Sequence, residues 1–215
     1  MLSLGLKECK SDASVFYCAG LYVLVHVDDF FAVGRVQDID WLFAAISAKA
    51  AFKAGPWLTE EPARFLGEWF RRVDGEVEVW HDKKYFEEVL TAMKLEEAAK
   101  SVTTPSFADI RPRSQAERTS WHRPLPPMEH GRFRRAVGML RYVSPERYDL
   151  AYPLWLLSKQ LAGPTYEDWA HLRRLGRYIL GTCEYRLRLR GAEGEKGDPL
   201  RLEVFADSDF AADSK

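Results

Sequence analysis

At 215 residues and 47% hydrophobic content, the chain has material for one large core or two small ones. Its longest apolar runs, Leu21 to Val27 and Leu154 to Leu157, fall far short of the roughly 20 residues that cross a bilayer, so neither a transmembrane helix nor a membrane partner is expected. A formal charge of −1 excludes a globally basic chain, and the N-terminal residues lack the order of a secretory signal, which points to an intracellular setting.

Val15 to Cys18, Leu21 to Val27 and Phe30 to Gly34 are β-branched and aromatic runs, which predicts a β-hairpin with Asp28 and Asp29 at its tip. Asp38 is the expected N-cap of a helix reaching about Lys53, with Leu42, Phe43 and Ile46 at helical spacing and Gly55-Pro56 closing it. Arg64 to Val73 and Glu76 to Trp80 read as strands flanking Asp74-Gly75, a favoured two-residue hairpin turn. His81 to Met93 reads as an amphipathic helix that turns Tyr85, Phe86, Val89 and Leu90 inward. From Thr104 to Glu129 the pattern dissolves among Pro105, Pro112, Pro124, Pro126 and Pro127, the signature of a linker or long loop.

Three helices are expected next, over about Glu129 to Val143, Pro145 to Leu161 and Thr165 to Leu180. Thr165 and Asp168 form a capping-box pattern for the last, and Gly181 reads as its stop. Arg186 to Arg190 alternates as a strand, Gly191 to Pro199 reads as a charged loop, and Leu200 to Ala206 alternates again into Asp207. The pattern is α+β, in four segments: a mixed region 1–104, a Pro/Arg-rich linker 105–128, a helical region 129–182, and the beginning of a further β-region at 183–215.

Cys9, Cys18 and Cys183 form no CxxC pair and have no His at finger spacing, so neither a disulfide framework nor a zinc site is supported. Charge is unevenly placed. Arg111 to Arg147 holds nine arginines and no lysine against three glutamates, and His171 to Arg190 holds six arginines against Glu184. With Trp121, Tyr142, Tyr178 and Tyr185 nearby, such clusters suit a surface that tracks a nucleic-acid backbone, and equally suit a solvated helix face.

Asp28 and Asp29 place adjacent carboxylates between two apolar strands. That arrangement can hold the divalent ions of in-line phosphoryl transfer, or simply cap a hairpin turn through the local backbone. Their surroundings, Leu21-Tyr-Val-Leu-Val-His-Val-Asp-Asp-Phe-Phe-Ala-Val-Gly34, resemble the catalytic hairpin of reverse transcriptases, usually Tyr-Val-Asp-Asp. The resemblance continues in order along nearly the whole chain and is specific to copia-type LTR retrotransposon Pol polyproteins. Leu4-Gly-Leu-Lys-Glu-Cys-Lys-Ser-Asp-Ala-Ser-Val-Phe16 precedes the hairpin. Phe65-Leu-Gly-Glu68, Lys84-Tyr85 and Val102-Thr-Thr-Pro105 follow it. Then come Phe133-Arg-Arg-Ala-Val-Gly-Met-Leu-Arg-Tyr142, Asp149-Leu-Ala-Tyr152, Leu157-Ser-Lys159, Arg177-Tyr-Ile-Leu-Gly-Thr182 and finally Phe205-Ala-Asp-Ser-Asp-Phe-Ala-Ala-Asp213.

The resemblance implies a partial reverse-transcriptase palm, thumb and connection helices, and the first strand of an RNase H-like sheet. Asp28 and Asp29 would be catalytic carboxylates and Mg²⁺ ligands, and Asp207 the first RNase H metal ligand. Gly67 would admit a primer strand, or mark a bulge in an edge strand. Arg134, Arg135, Arg141, Arg173, Arg174 and Arg177 would touch phosphates of an RNA/DNA template-primer, with deoxynucleotide triphosphates as co-substrate, or would only be solvated. His26 departs from the usual tyrosine. The family's remaining palm carboxylate belongs to a strand upstream of the hairpin, and Asp12 does not match it, so the 215-residue chain is expected to be inactive by itself. Two other readings stand beside this one: a non-catalytic nucleic-acid-binding fragment, and a decayed retroelement remnant.

Overall fold

A computed structural model describes residues 1–51, 53–95, 99–107, 110–112 and 114–190. Among them lie two antiparallel sheets and six α-helices, a mixed α/β architecture as the sequence pattern implies. The chain divides at Arg71–Arg72 into two compact units.

In the first unit, β1 (Lys7–Glu8), β2 (Val15–Cys18), β3 (Leu21–His26) and β4 (Asp29–Gly34) form an antiparallel sheet in sequence order. The two-residue alternation of a strand turns Leu21 and Val23 into the core and leaves Tyr22 exposed between them. Helix α1 (Val36–Ser47) covers that inner face with Leu42, flanked by Ile39 and Ile46 at helical spacing. The helix differs from its expected span at both ends. Arg35 is the N-cap and Asp38 lies within the first turn, where its carboxylate accepts from Arg35 Nε at 2.7 Å. An acid inside the first turn is favoured by the helix dipole as well as at the cap, so the sequence signal is displaced by a turn.

The expected strand Arg64 to Val73 is a hairpin instead. β5 (Ala63–Phe65) and β6 (Glu68–Val73) pair antiparallel across Leu66-Gly67, whose φ values of 49° and 90° are both positive. A two-residue turn of this hand matches strand twist, and Gly67 supplies the second position without strain. Phe31 of β4 packs against Phe65 and Phe70, with ring centroids 5.1 and 5.3 Å apart, and so fastens the hairpin to the sheet.

In the second unit, β7 (Glu76–His81) follows the Asp74-Gly75 turn, which takes the expected positive φ at both residues, 51° and 82°. β8 (Leu187–Leu189) pairs antiparallel with β7, Val79 opposite Leu187. Charge reinforces that pairing: Arg186 and Arg188 reach the buried Glu78 at 3.0 and 2.9 Å, and Arg190 reaches Glu76 at 2.6 Å. Helix α2 (Lys83–Ala92) buries Phe86 and Val89. A short helix, α3 (Gln115–Ser120), lies within the expected linker, opened by the Ser114 side chain accepting from the Glu117 amide.

Helix α4 (Pro127–Tyr142), a 3-10 turn (Tyr148–Leu150) running into α5 (Ala151–Lys159), and α6 (Tyr166–Thr182) share the main core with α2. Phe133, Ala136, Val137 and Leu140 form the inner stripe of α4. Thr165 and Asp168 make the expected capping box reciprocally. Gly181 is not a stop, since α6 runs through Thr182. A Cβ at that position would come within 2.9 Å of the Ser101 Cβ, so its missing side chain lets residues 101–102 cross the helix.

Phe133 is fully buried in this core. Phe133→Ala is expected to lower stability by about 3–5 kcal/mol, read as a reduced denaturation midpoint of the second unit's transition with an unchanged slope.

Candidate functional site

The carboxylate hairpin has the expected geometry. β3 and β4 pair from Leu21 opposite Gly34 to His26 opposite Asp29, which leaves Val27 and Asp28 as the turn. Six paired positions fix the tip as an extension of the sheet. Val27 takes φ 51°, a region where a β-branched residue is strained, and its side chain is 82% exposed. Asp28 and Asp29 are exposed, and neither carboxylate has a hydrogen bond or ion pair among the described residues. The turn-cap alternative would have shown a side-chain bond to the local backbone. Asp12 does show one, accepting from the Ser14 amide at 2.9 Å, which makes it a loop residue. Gly67 occupies the β5–β6 turn rather than a strand bulge. Asp207, with the whole segment from Gly191 onward, including the expected loop Gly191 to Pro199 and strand Leu200 to Ala206, lies outside the described residues.

The six arginines separate into two groups. Arg134, Arg135, Arg141 and Arg173 are exposed, with no ion-pair or hydrogen-bond partner for their guanidinium groups among the described residues. Arg174 and Arg177 instead hold a strap laid along α6. Arg174 donates to the Ser106 carbonyl at 3.2 Å and to Thr104 Oγ1 at 3.4 Å, and Arg177 donates to the Lys100 carbonyl. Phe107 completes the strap by stacking on His171, with centroids 4.7 Å apart and planes 1° from parallel. Burial in that stack holds the His171 imidazole below its ordinary range, against the pull of Glu167 and Asp168. The Thr-Pro motif at 102–105 is thus part of the packing of α6.

On α4, α5 and α6 the exposed ionic side chains are Arg134, Arg135, Arg141, Lys159 and Arg173, with no exposed carboxylate. The five acids between Pro127 and Thr182 are all occupied. Glu129 pairs with Lys94, Glu146 with His81, Asp149 with Arg147 and Glu167 with His122, while Asp168 caps α6. A chain of nearly zero net charge therefore presents a cationic helical surface. Of the aromatics expected near it, Tyr178 is buried, whereas Tyr142 and Tyr185 are about half exposed.

Two curated relatives from Arabidopsis thaliana match along the chain. The retrovirus-related Pol polyprotein from transposon RE2 is 27% identical over 219 residues, covering 100% of this chain. That from transposon RE1 is 29% identical over 222 residues, covering 99%. This chain is homologous to copia-type transposon Pol polyproteins. It spans 14% of the length of each of these two relatives. An uncharacterised mitochondrial protein of the same plant is 33% identical over 79 residues, covering 37% of the chain and 31% of that protein. No protein-family model and no solved structure matches.

The Pol-like motif at Asp149 to Tyr152 is structural at its first residue. Arg147, 3% exposed, donates through Nε and Nη2 to both Asp149 oxygens at 2.9 and 2.7 Å. Its remaining donors reach the Thr182 carbonyl at 3.1 Å and Thr182 Oγ1 at 2.9 Å. Tyr178 adds its hydroxyl to Asp149 at 2.9 Å. Burial alone would raise the Asp149 carboxyl, but the bonds and charge of Arg147 outweigh it and hold it below the ordinary range. Burial and the Asp149 anion push the Tyr178 phenol up to about 12. In the sequence Arg147 is one member of a charge cluster, and its burial goes unmarked there. Its bidentate partner two residues away is the one local signal that points to it.

Asp149→Asn leaves a buried guanidinium short of its counter-charge and is expected to cost about 3–5 kcal/mol. Because the folded Asp149 pKa is depressed, its stabilisation is present above the unfolded value, about 3.9, and is lost as pH falls through the folded value. For Tyr178 the sign is opposite: the contribution is complete below about 10 and is lost as pH rises through about 12. Spectrophotometric titration should show a late phenol that disappears in Tyr178→Phe; an unchanged curve would refute the assignment.

Proposed function

We infer that the chain is part of an RNA-directed DNA polymerase of a copia-type retrotransposon, contributing its carboxylate hairpin and helices that hold the template-primer. The observation that carries this reading is the uncommitted carboxylate pair, Asp28 and Asp29, at a strained tip between paired strands, in a chain homologous to transposon Pol polyproteins from end to end. Strain held at a tip by six flanking pairs is a feature of sites where geometry matters more than stability.

The pair fits a hard divalent cation. Both residues offer carboxylate oxygens, both are accessible, and neither would surrender a bond to another described residue to bind. Asp28 and Asp29 would hold Mg²⁺, which when bound supplies charge stabilisation for in-line attack of a primer hydroxyl on a deoxynucleotide triphosphate. Two adjacent carboxylates are only part of the ligand set for a pair of such ions, so the isolated 215-residue chain is proposed to be inactive as a polymerase. Asp207 is proposed as the corresponding first ligand of an RNase H-like site.

A second reading is favoured by the surface of α4 to α6: nucleic-acid binding without catalysis. Four arginines without partners among the described residues, on helices whose carboxylates are all engaged, suit phosphate contacts that position a duplex without reading its sequence. Arg134, Arg135, Arg141 and Arg173 are the proposed contacts.

In a Pol segment competent for primer extension, Asp28→Ala is expected to reduce extension to background with the template-primer still bound. The isolated chain should give no extension above its own Asp28→Ala variant. For binding, the triple substitution of Arg134, Arg135 and Arg141 to alanine should flatten the dependence of log affinity on log salt by about 0.9 for each phosphate that is no longer neutralised. A salt dependence identical to the unsubstituted chain would remove these arginines from the interface.

A further inference from the structure

Helix α5 has two apolar faces where a surface helix ordinarily has one. Its inner face buries Pro153, Leu154 and Leu157 in the core. Its outer face presents Tyr152 at 69% and Trp155 at 50% exposure, and Tyr148 stands at 73% in the 3-10 turn immediately before it. Tyr152, Trp155 and Lys159 recur at helical spacing, and Tyr152 and Lys159 each touch Trp155. The two rings stack with centroids 5.9 Å apart and planes 26° from parallel, and the Lys159 ammonium lies 3.9 Å from the Trp155 centroid. Tyr152 thus keeps most of its surface in solvent although one ring face is against the indole. Large aromatic side chains grouped this way, one turn apart and outside the core, mark a binding surface.

Two features select the occupant. First, no carboxylate is exposed on α4, α5 or α6, and the two acids beside the stripe, Glu146 and Asp149, are engaged by His81 and Arg147. With the exposed cations on these helices, Arg134, Arg135, Arg141, Lys159 and Arg173, the surroundings favour a polyanion. Second, three partly exposed rings of roughly 150–250 Å² each fall well short of the roughly 800 Å² per partner that a stable protein interface buries. A strand of bases needs only successive ring faces and nearby cations.

Resting on the nucleic-acid reading above, we propose that the outer face of α5 is a stacking platform for single-stranded nucleic acid. Tyr148, Tyr152 and Trp155 present the rings, and Lys159 supplies positive charge at the C-terminal end. Bases stack on the ring faces without sequence preference, and the platform acts separately from the duplex-positioning arginines of α4.

The test uses the full 215-residue chain and a fluorescein-labelled single-stranded RNA of mixed sequence, read by anisotropy over a salt series, with an RNA/DNA duplex in parallel. Tyr152→Ala with Trp155→Ala should weaken single-strand binding by tenfold or more. The salt slope should stay parallel, because no charge is removed, and duplex binding should change less than threefold. Tyr152→Phe with Trp155→Phe, which keeps both rings, should restore single-strand affinity. Unchanged single-strand affinity in the alanine variant, while the original chain binds with a salt-dependent constant, overturns the platform and leaves the nucleic-acid reading standing. Absence of salt-dependent binding by the original chain overturns both. If sedimentation shows a dimer that the alanine variant loses without losing RNA affinity, the stripe is a self-association surface and the proposal fails.

Discussion

A single buried guanidinium organises the second unit. Arg147 cannot lose its charge, so its burial is tolerable only if its donors are met, and the chain meets them from two places: Asp149 two residues on, and the carbonyl and hydroxyl of Thr182 at the end of α6. The rings of Phe86 on α2 and Tyr185 before β8 lie within 5.7 and 5.5 Å of the same group. One side chain thus fixes where α5 begins, where α6 ends and where the chain turns back toward β8. Tyr178 locks the counter-ion from the body of α6. The motif around Asp149 is explained by this arrangement, and catalysis need not be invoked for it.

Where local chemistry decides conformation, the sequence is legible. The hairpin around Asp28 and Asp29 follows from two apolar alternating runs, Asp74-Gly75 from its turn preference, and the start of α6 from a capping box whose two bonds lie three residues apart. The β5–β6 turn is hidden because its first residue is Leu66, an apolar side chain at positive φ inside an apolar run. Gly181 misleads for a related reason: glycine serves both a helix stop and a close crossing, and only the position of Ser101 distinguishes them.

The candidate site divides along the same line. Exposure of Asp28 and Asp29 at a hairpin tip is a local property and can be read directly. Which arginines remain available cannot, because the carbonyls that engage Arg174 and Arg177 lie 68 and 77 residues away in sequence. Equivalent-looking cations on one helix are separated by a tertiary contact, the strap from Lys100 to Phe107. The exposed ring stripe is likewise invisible as a stripe, since Tyr152 and Trp155 fit an amphipathic pattern as well as Leu154 and Leu157 do.

Net charge misleads here for a definable reason. A value of −1 counts every carboxylate equally, yet a phosphate strand meets only those left facing solvent. Between Pro127 and Thr182 each acid is matched to a lysine, an arginine, a histidine or a helix cap, whereas Arg134, Arg135, Arg141 and Arg173 have no such match among the described residues. The Arg147–Asp149 pair stabilises the helical packing, and Lys94 offsets the partly exposed Glu129 at the surface. Surface potential can then change with little cost in stability: breaking an exposed pair such as Lys94–Glu129 leaves an uncompensated carboxylate on the helix whose arginines dominate the surface.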